Sequence, residues 1–345
     1  MKQTKVTVIT ACYNGEKYLD DCFFYILNQS YDNIEYIIVD DGSTDRSASI
    51  MKQYIDKFRN RGYEYKIIEK ENGGAASAIN VALKKTTGEY LTLFDVDDVL
   101  MKDSVKEKAE YLDRHTEYGI VRSNGYYVKS KNLRQNSYLF VTKKHEKENQ
   151  YIFEDILYGK TNNWSGSFMV RCSALFDSIK NQSIYISPWG QNMQILLPVS
   201  YKYMAGFIDK PLMRYVEHGK SVSRDSSPER QLQLLNGYME NRIEIIKSMQ
   251  INKDVKDTYI QRIQQYYLHV RLRYALEKGM ISLLEKEYQA LHESQDISFE
   301  DRFYYFLGHH PVIGMLYQKC RILLKISWCI FHKIEGKVLR HDKLC

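Results

Sequence analysis

A chain of 345 residues with 44% hydrophobic and 27% charged residues can bury a large core, which excludes wholesale disorder. The net charge of +6 is concentrated: seven Lys or Arg against two Asp or Glu between Lys319 and Cys345 put +5 there, and the body is nearly neutral. A body with no basic stripe interleaved with aromatics argues against nucleic acid as a partner, whereas the basic tail suits an anionic surface.

In chain order, Val6 to Thr10 is a β-branched strand run, and Tyr18 to Gln29 carries apolar residues at helical spacing. Glu35 to Val39 reads as a second, buried strand, followed by a helix through about Phe58 and a third strand at Tyr65 to Ile68. A helix over Ala75 to Lys85 and a strand at Tyr90 to Phe94 complete the rhythm. Alternating strands and helices predict an α/β fold, a Rossmann-like and mostly parallel sheet flanked by helices. From Ser123 to Gly219 the pattern is less regular, with strand-like runs at Phe168 to Arg171 and Lys202 to Ile208. Ser226 to His292 is helical, with Pro228 suited to a first turn, and predicts a C-terminal helical appendage. From Pro311 to Phe331, Gln318, Arg321, Lys325 and His332 line one side of an otherwise apolar helix, a pattern suited to a membrane interface. The expected divisions are 1–224, 225–310 and a basic amphipathic tail at 311–345.

The six cysteines form no CxxC pair and no His–Cys ligand spacing, which predicts free thiols, a reducing compartment and no zinc. Met1 to Lys5 is short and polar and leads straight into a strand, so no secretory leader is expected. No run of ~20 apolar residues marks a membrane span.

Polar residues cluster at three strand ends. Tyr13 and Asn14 follow the first strand, Asp40 and Asp41 the second, and Asp95-Val96-Asp97-Asp98 the fourth. Parallel sheets bind ligands beyond such ends. Clustered carboxylates with open positions suit Mg²⁺ or Mn²⁺, which in turn neutralises a diphosphate. An isolated DxDD favours the plainer reading of a solvated turn or helix cap, and the position after a fourth strand reverses that preference. The Asp40–Asp45 turn has ordinary capping chemistry in Ser43 and Thr44, and one of its carboxylates can also accept a uracil imide N–H. Tyr13 offers a ring to a base, or is simply a half-buried tyrosine. Asn72-Gly73-Gly74 permits close backbone approach to a nucleotide or its phosphates, or is only a lead-in to the next helix.

The segments VITACYNGEKYLDDC, YIIVDDGSTDRS, ENGGAASAIN and GEYLTLFDVDD, in this order and spacing, resemble the inverting family-2 glycosyltransferases of bacterial polysaccharide biosynthesis. The likeness is close over residues 5 to about 100, weaker to Ser223, and not visible beyond. It implies the GT-A fold, a nucleotide diphosphate-sugar donor of the UDP type, Mn²⁺ or Mg²⁺, and a saccharide or lipid-linked saccharide acceptor in cell-surface or capsule polysaccharide synthesis. It also implies that Ala11, Tyr13, Glu16 and Asp41 surround base and ribose. Asn14, Asn72, Gly73 and Gly74 join them as nucleotide contacts, and Asp95 and Asp97 form the DxD pair at metal and diphosphate. His218, in a segment from Pro211 to Ser223 resembling the one that closes over the diphosphate, is a third metal or phosphate contact; a lone histidine is more often structural.

Two departures from the family pattern stand out. Ala78-Ile79-Asn80 replaces an Ala-Arg-Asn, and Trp189-Gly190-Gln191-Asn192-Met193 stands where the family carries an acidic pair that supplies the base. Neither amide accepts a proton at neutral pH. Asp98 is then the candidate base, with Gln191 and Asn192 positioning the acceptor. The replacement also motivates a second reading, a catalytically silent sugar-nucleotide binding protein. A dinucleotide-dependent oxidoreductase fares worst, because no GxGxxG follows the first strand. The tail is expected to lie on the cytoplasmic, inner face of the membrane, as a peripheral contact, the plainer alternative being that its apolar face packs on the helical appendage with its lysines solvated; nothing in the sequence addresses oligomeric state.

Overall fold

The β-branched runs near the start of the chain are buried on both faces, the condition that favours parallel pairing beneath helices. They form β1 (Val6–Cys12), β2 (Ile34–Asp40) and β4 (Tyr90–Leu93), with the half-exposed β3 (Glu64–Glu69) at the edge. These four are parallel in the order β3-β2-β1-β4. Helices α1 (Leu19–Leu27), α2 (Ser47–Gln53), α3 (Ile55–Arg61) and α4 (Ala75–Leu83) connect them. Where the sequence suggests one helix running to Phe58, the structure breaks it at Tyr54 into α2 and α3. Cys12 is in register with Asp40, and Asp40 with Glu69, so the carboxyl ends share one rim. The computed structural model describes residues 3–130, 132–218, 227–317 and 319–320. Two compact units divide the chain: Met1–Gly219 with Lys247–Gln250, and Lys220–Ile246 with Ile251–Cys345.

Beyond β4 come β5 (Val99–Leu100), α5 (Ser104–Arg114), β6 (Tyr118–Lys129), β7 (Asn132–Leu139), α6 (Lys144–Glu148) and α7 (Phe153–Leu157). They are followed by β8 (Phe168–Arg171), α8 (Cys172–Ser178), α9 (Met193–Lys202) and β9 (Met204–Glu217). Among the described residues the sheet has nine strands in the order β3-β2-β1-β4-β8-β6-β9-β5, with β7 paired to β6. β8 is antiparallel to β4 and to β6, whereas the long β6 and β9 run parallel. Their register slips between Ser123 and Asn124, opposite Ile208 and Pro211. A proline has no N–H for the ladder, so a bulge there is the expected compromise. Asn124 fills the gap, its amide donating to the Val141 carbonyl and to Asp209, each at 2.8 Å. At Gly125 a Cβ would stand 2.3 Å from the Phe140 ring and 2.8 Å from the Met213 carbonyl, so only glycine fits.

Glu35 shows how a charge is tolerated in this sheet. Its side chain is wholly buried on β2 and accepts from Thr7 Oγ1, Lys66 Nζ (2.6 Å), Thr87 N (2.9 Å) and Thr87 Oγ1 (2.7 Å). Burial alone raises its pKa, but the hydrogen bonds from Lys66, Thr7 and Thr87 outweigh it and hold the carboxyl at about 2. The folded value lies below the unfolded one, so the stabilisation is present above the unfolded pKa and is lost as pH falls toward 2. Urea titrations of Glu35→Gln should show a protein weaker at pH 7 by ~3 kcal/mol and less acid-sensitive between about pH 5 and 2. An unchanged acid limb in the variant would place the acid sensitivity elsewhere.

The second unit is helical: α10 (Pro228–Ser248), α11 (Lys253–Lys278), α12 (Ile281–Glu293) and α13 (Phe299–His309). Its boundaries follow local chemistry. Asn252 caps α11 through the Asp254 amide, Gly279 ends it with a left-handed φ of 67°, and Ser298 with Asp301 forms a capping box on α13. Leu272, Leu276, Leu284, Leu291, Tyr304 and Leu307 form its core. The expected division at 224–225 and the tail from Arg321 onward lie outside the described residues. Among the described residues no helix is long and apolar enough to cross a membrane.

Candidate active site

The carboxyl rim of β1 and β2 is tied together by side chains on their loops. The Asp41 N–H donates to the Cys12 carbonyl at 2.8 Å, carrying the β1–β2 pairing one step past the strands. Asn14, with φ of 49°, donates its N–H to Ser43 Oγ at 2.9 Å and accepts from the Thr44 N–H at 2.8 Å. Glu16 Oε2 accepts from the Arg46 N–H at 3.0 Å and from its Nε at 3.2 Å. Gly15 sits directly over the buried Cys12, whose Sγ would be 2.6 Å from a Cβ there, and burial pushes that thiol up to about 11. Ala11 is half-buried, and the Tyr13 ring is 54% exposed at the rim. The structure thus brings Ala11, Tyr13, Asn14, Glu16 and Asp41 to one place.

Asp41 occupies a tighter position than the sequence suggests. Only 2% of the residue is exposed, and its carboxylate accepts from Lys70 Nζ (2.6 Å), Gly73 N (3.1 Å) and Gly74 N (2.7 Å). Asn72 adds an amide bond to the Asp41 carbonyl at 3.0 Å. Asp41 is therefore the knot joining the β2–α2 loop to the β3–α4 loop, with its acceptor capacity already engaged by the protein.

Beyond β4, Asp97 Oδ2 stands 3.0 Å from His218 Nε2, and the His218 ring lies 5.4 Å from that of Tyr18. Asp95 is half-buried, hydrogen-bonded by Ser165 and approached by Gln191 Nε2 at 3.4 Å; burial and then Asp97 push it up to about 6. Asn192 accepts from Ser165 Oγ at 2.9 Å. The sequence-based candidates Asp95, Asp97, His218, Gln191 and Asn192 therefore converge.

Asp98 does not share that exposure. It is 4% exposed, its Oδ1 accepts from the Val216 N–H of β9 at 2.8 Å, and its Oδ2 is buried with no hydrogen-bond partner. Burial, then Asp95 and Asp97, push it well above the usual carboxylate range. Its placement corrects the expectation of a base: it pins β9 to the carboxylate cluster rather than facing an acceptor hydroxyl.

Among the described residues no three His, Cys, Asp or Glu side chains form a ready-made metal cage. The donor set nonetheless suits a hard divalent cation that takes most of its ligands from phosphate and water, with two carboxylates and one imidazole on one side. The orphaned Oδ2 of Asp98 beside them fits a local deficit of positive charge.

Several residues here have no motif to betray them. Ser165 bridges Asp95 and Asn192, and the turn holding it is fixed from below by Lys108. That lysine is wholly buried, donates to Ser104 Oγ (2.7 Å) and the Gly166 carbonyl (2.5 Å), and is lowered by burial to about 7. Trp164 stacks on Tyr215 at 4.4 Å and donates Nε1 to Tyr127 OH at 2.9 Å. The one sequence signal is the density of aromatics across Tyr126–Phe140 and Trp164. A cavity of about 560 Å³ lined by Lys5, Asn33, Glu64 and Glu89 lies at the opposite, amino end of the strands.

The model for "Glycosyl transferase family 2" matches residues 7–178. Glycosyltransferase GlyG of Streptococcus pneumoniae serotype 4 is 29% identical over 178 residues, 51% of this chain and 57% of that protein. The putative teichuronic acid biosynthesis glycosyltransferase TuaG of Bacillus subtilis is 39% identical over 107 residues, 31% of this chain and 41% of that protein. The chain spans about half the length of these curated relatives. Residues 1–349 of S. aureus TarS, solved in complex with UDP-GlcNAc, superimpose with a TM-score of 0.60 at 21% identity, covering 91% of this chain and 92% of that one. Mannosyltransferase PcManGT from Pyrobaculum calidifontis, solved with GDP-Man and Mn²⁺, gives 0.52 at 16% identity, over 92% and 87%. At these identities the structural likenesses establish the fold, a GT-A architecture.

Proposed function

Over residues 7–178 the chain belongs to glycosyl transferase family 2, and from that premise we propose that it moves a sugar from a UDP-sugar to a saccharide or lipid-linked saccharide with inversion. The observation that carries this reading is the convergence of Asp95, Asp97 and His218 at the carboxyl rim of parallel strands. Asp95, Asp97 and His218 would hold Mn²⁺ or Mg²⁺, whose chemistry is to neutralise the negative charge of a departing diphosphate. Tyr13 stands at the rim with its ring open to a base, and the Asn72-Gly73-Gly74 turn beside it is held by Asp41, which takes the Gly73 and Gly74 N–H groups. The GDP-Man and Mn²⁺ complex of PcManGT supports the metal, and the TarS complex with UDP-GlcNAc supports the uridine nucleotide. TuaG and TarS, named for teichuronic acid biosynthesis and poly(ribitol-phosphate) glycosylation, support an acceptor in cell-surface polysaccharide. With its basic tail, the chain works at the cytoplasmic face of the membrane.

Gln191 and Asn192 are assigned to the acceptor side. Their link through Asp95 and Ser165 makes them rigid supports beside the metal pair, without a base among them. Gln191→Ala or Asn192→Ala should lower transfer about 10- to 100-fold while slowing hydrolysis of the donor far less, since positioning an acceptor matters only when one is present. Equal losses in both reactions would remove that role. The second reading, a silent binding protein, is favoured by the inward placement of Asp98, since its neighbours Asp95 and Asp97 are assigned to the metal. A screen of UDP-sugars with Mn²⁺ for nucleotide release decides between them: release on turnover supports the transferase, and binding without release supports the silent protein.

A further inference from the structure

Helix α13 divides cleanly into two sides. Asp301, Tyr304 and Leu307 are buried, the latter two in the core of the helical unit. Phe299, Phe303 and Phe306, at spacings of four and three, lie on the other side and are 84%, 38% and 44% exposed. The helical stretch 311–317 folds back beside them, its Tyr317 ring 5.5 Å from that of Phe303. It adds Val312 (67%), Ile313 (45%), Met315 (49%) and Leu316 (53%) to the exposed apolar surface. Seven large apolar side chains open to water within 18 residues are not the scatter expected of an ordinary surface. The sequence that follows carries Lys319, Arg321, Lys325, Lys333, Lys337, Arg340 and Lys343.

We propose that this face of α13 and 311–317 inserts into the interface of an anionic bilayer, with the basic residues after it holding the surface charge. An apolar patch adjoining a cationic stretch matches the two components of such a surface, an apolar boundary and anionic headgroups. The inference deepens the membrane-side placement proposed above, moving the insertion from the basic tail to named aromatic side chains. It does not depend on the transferase chemistry.

The test is flotation of the full chain with vesicles of phosphatidylcholine alone and of phosphatidylcholine with phosphatidylserine. The wild type should float only with the anionic vesicles. Phe299→Ser/Phe303→Ser/Phe306→Ser should reduce the bound fraction about ten-fold or more, even at low salt. Phe299→Ser alone, at a position 84% exposed and therefore free of packing, should reduce it about three-fold. Full binding by the single and the triple variant would overturn the proposal, as would a wild type that ignores anionic vesicles. A wild-type dimer in sedimentation that dissociates in the triple variant would assign the face to a second copy instead. Nucleotide release from a UDP-sugar, measured without vesicles, should be the same in all three proteins. Its absence in all three would count against the transferase reading and leave the flotation result standing.

Discussion

Asp97→Asn is expected to lower turnover by two to three orders of magnitude, ~3–4 kcal/mol of transition-state stabilisation, while leaving the fold intact. The side chain is 36% exposed, and its near neighbour is His218 Nε2, 3.0 Å away at the rim rather than in the core. Asparagine keeps the volume and removes the charge that a divalent ion requires, so the change acts on ligand binding and not on packing. Calorimetric titration with UDP and Mn²⁺ checks it: wild-type affinity in the variant would sink the assignment of Asp97 to the metal. Asp95→Ala should separate ligands in the same way, weakening UDP while sparing uridine.

The second large effect concerns Asp41→Ala, and here stability and binding fall together. The substitution strands Lys70 and the Gly73 and Gly74 amides, three donors that now converge on one buried carboxylate. Removing one partner of a buried charge pair destabilises by ~3–5 kcal/mol, which for a unit of this size lowers Tm by about 10 °C. Uridine binding should also fail, and the question is whether through lost contact or a collapsed loop. Lys70→Met in the same chain separates the two, because it removes the orphaned cation and should return part of the lost stability. Recovered stability without recovered uridine binding would support a direct contact between Asp41 and the base. Recovery of both would make Asp41 a structural tie alone.

The first hundred residues were legible because their strands are short, buried and separated by helical spacing, so pattern and topology agree. The second half of the sheet was not. β6 carries Arg122, Ser123, Asn124 and Gly125 in its buried middle, and these polar and glycine residues erase the apolar run that marks a central strand. β9 contains Pro211, which argues against a central strand until the bulge opposite Asn124 absorbs it. β5 is two residues long, set by pairing with β9 rather than by propensity. At the site, the carboxylates and amides were visible because they follow strands. Ser165 and Lys108 were not, because one serine in a turn and one lysine in a helix look like solvated residues until tertiary contacts enclose them. Asp98 is hidden for the same reason: a carboxylate adjoining the DxD pair reads as exposed chemistry, and β9 closes over it.

Cys12 turns the close packing beneath Gly15 into a clock. Burial pushes this thiol up to about 11 and leaves it 1% exposed, so at pH 7 it is held as the unreactive thiol and screened from alkylating reagents. Modification at this sulfur requires the Tyr13–Glu16 loop above it to lift, so its alkylation rate measures how often that loop opens. The same enclosure shields this sulfur from mild oxidants, while Cys320, the exposed cysteine among the described residues, reacts ahead of Cys12 and reports reagent strength.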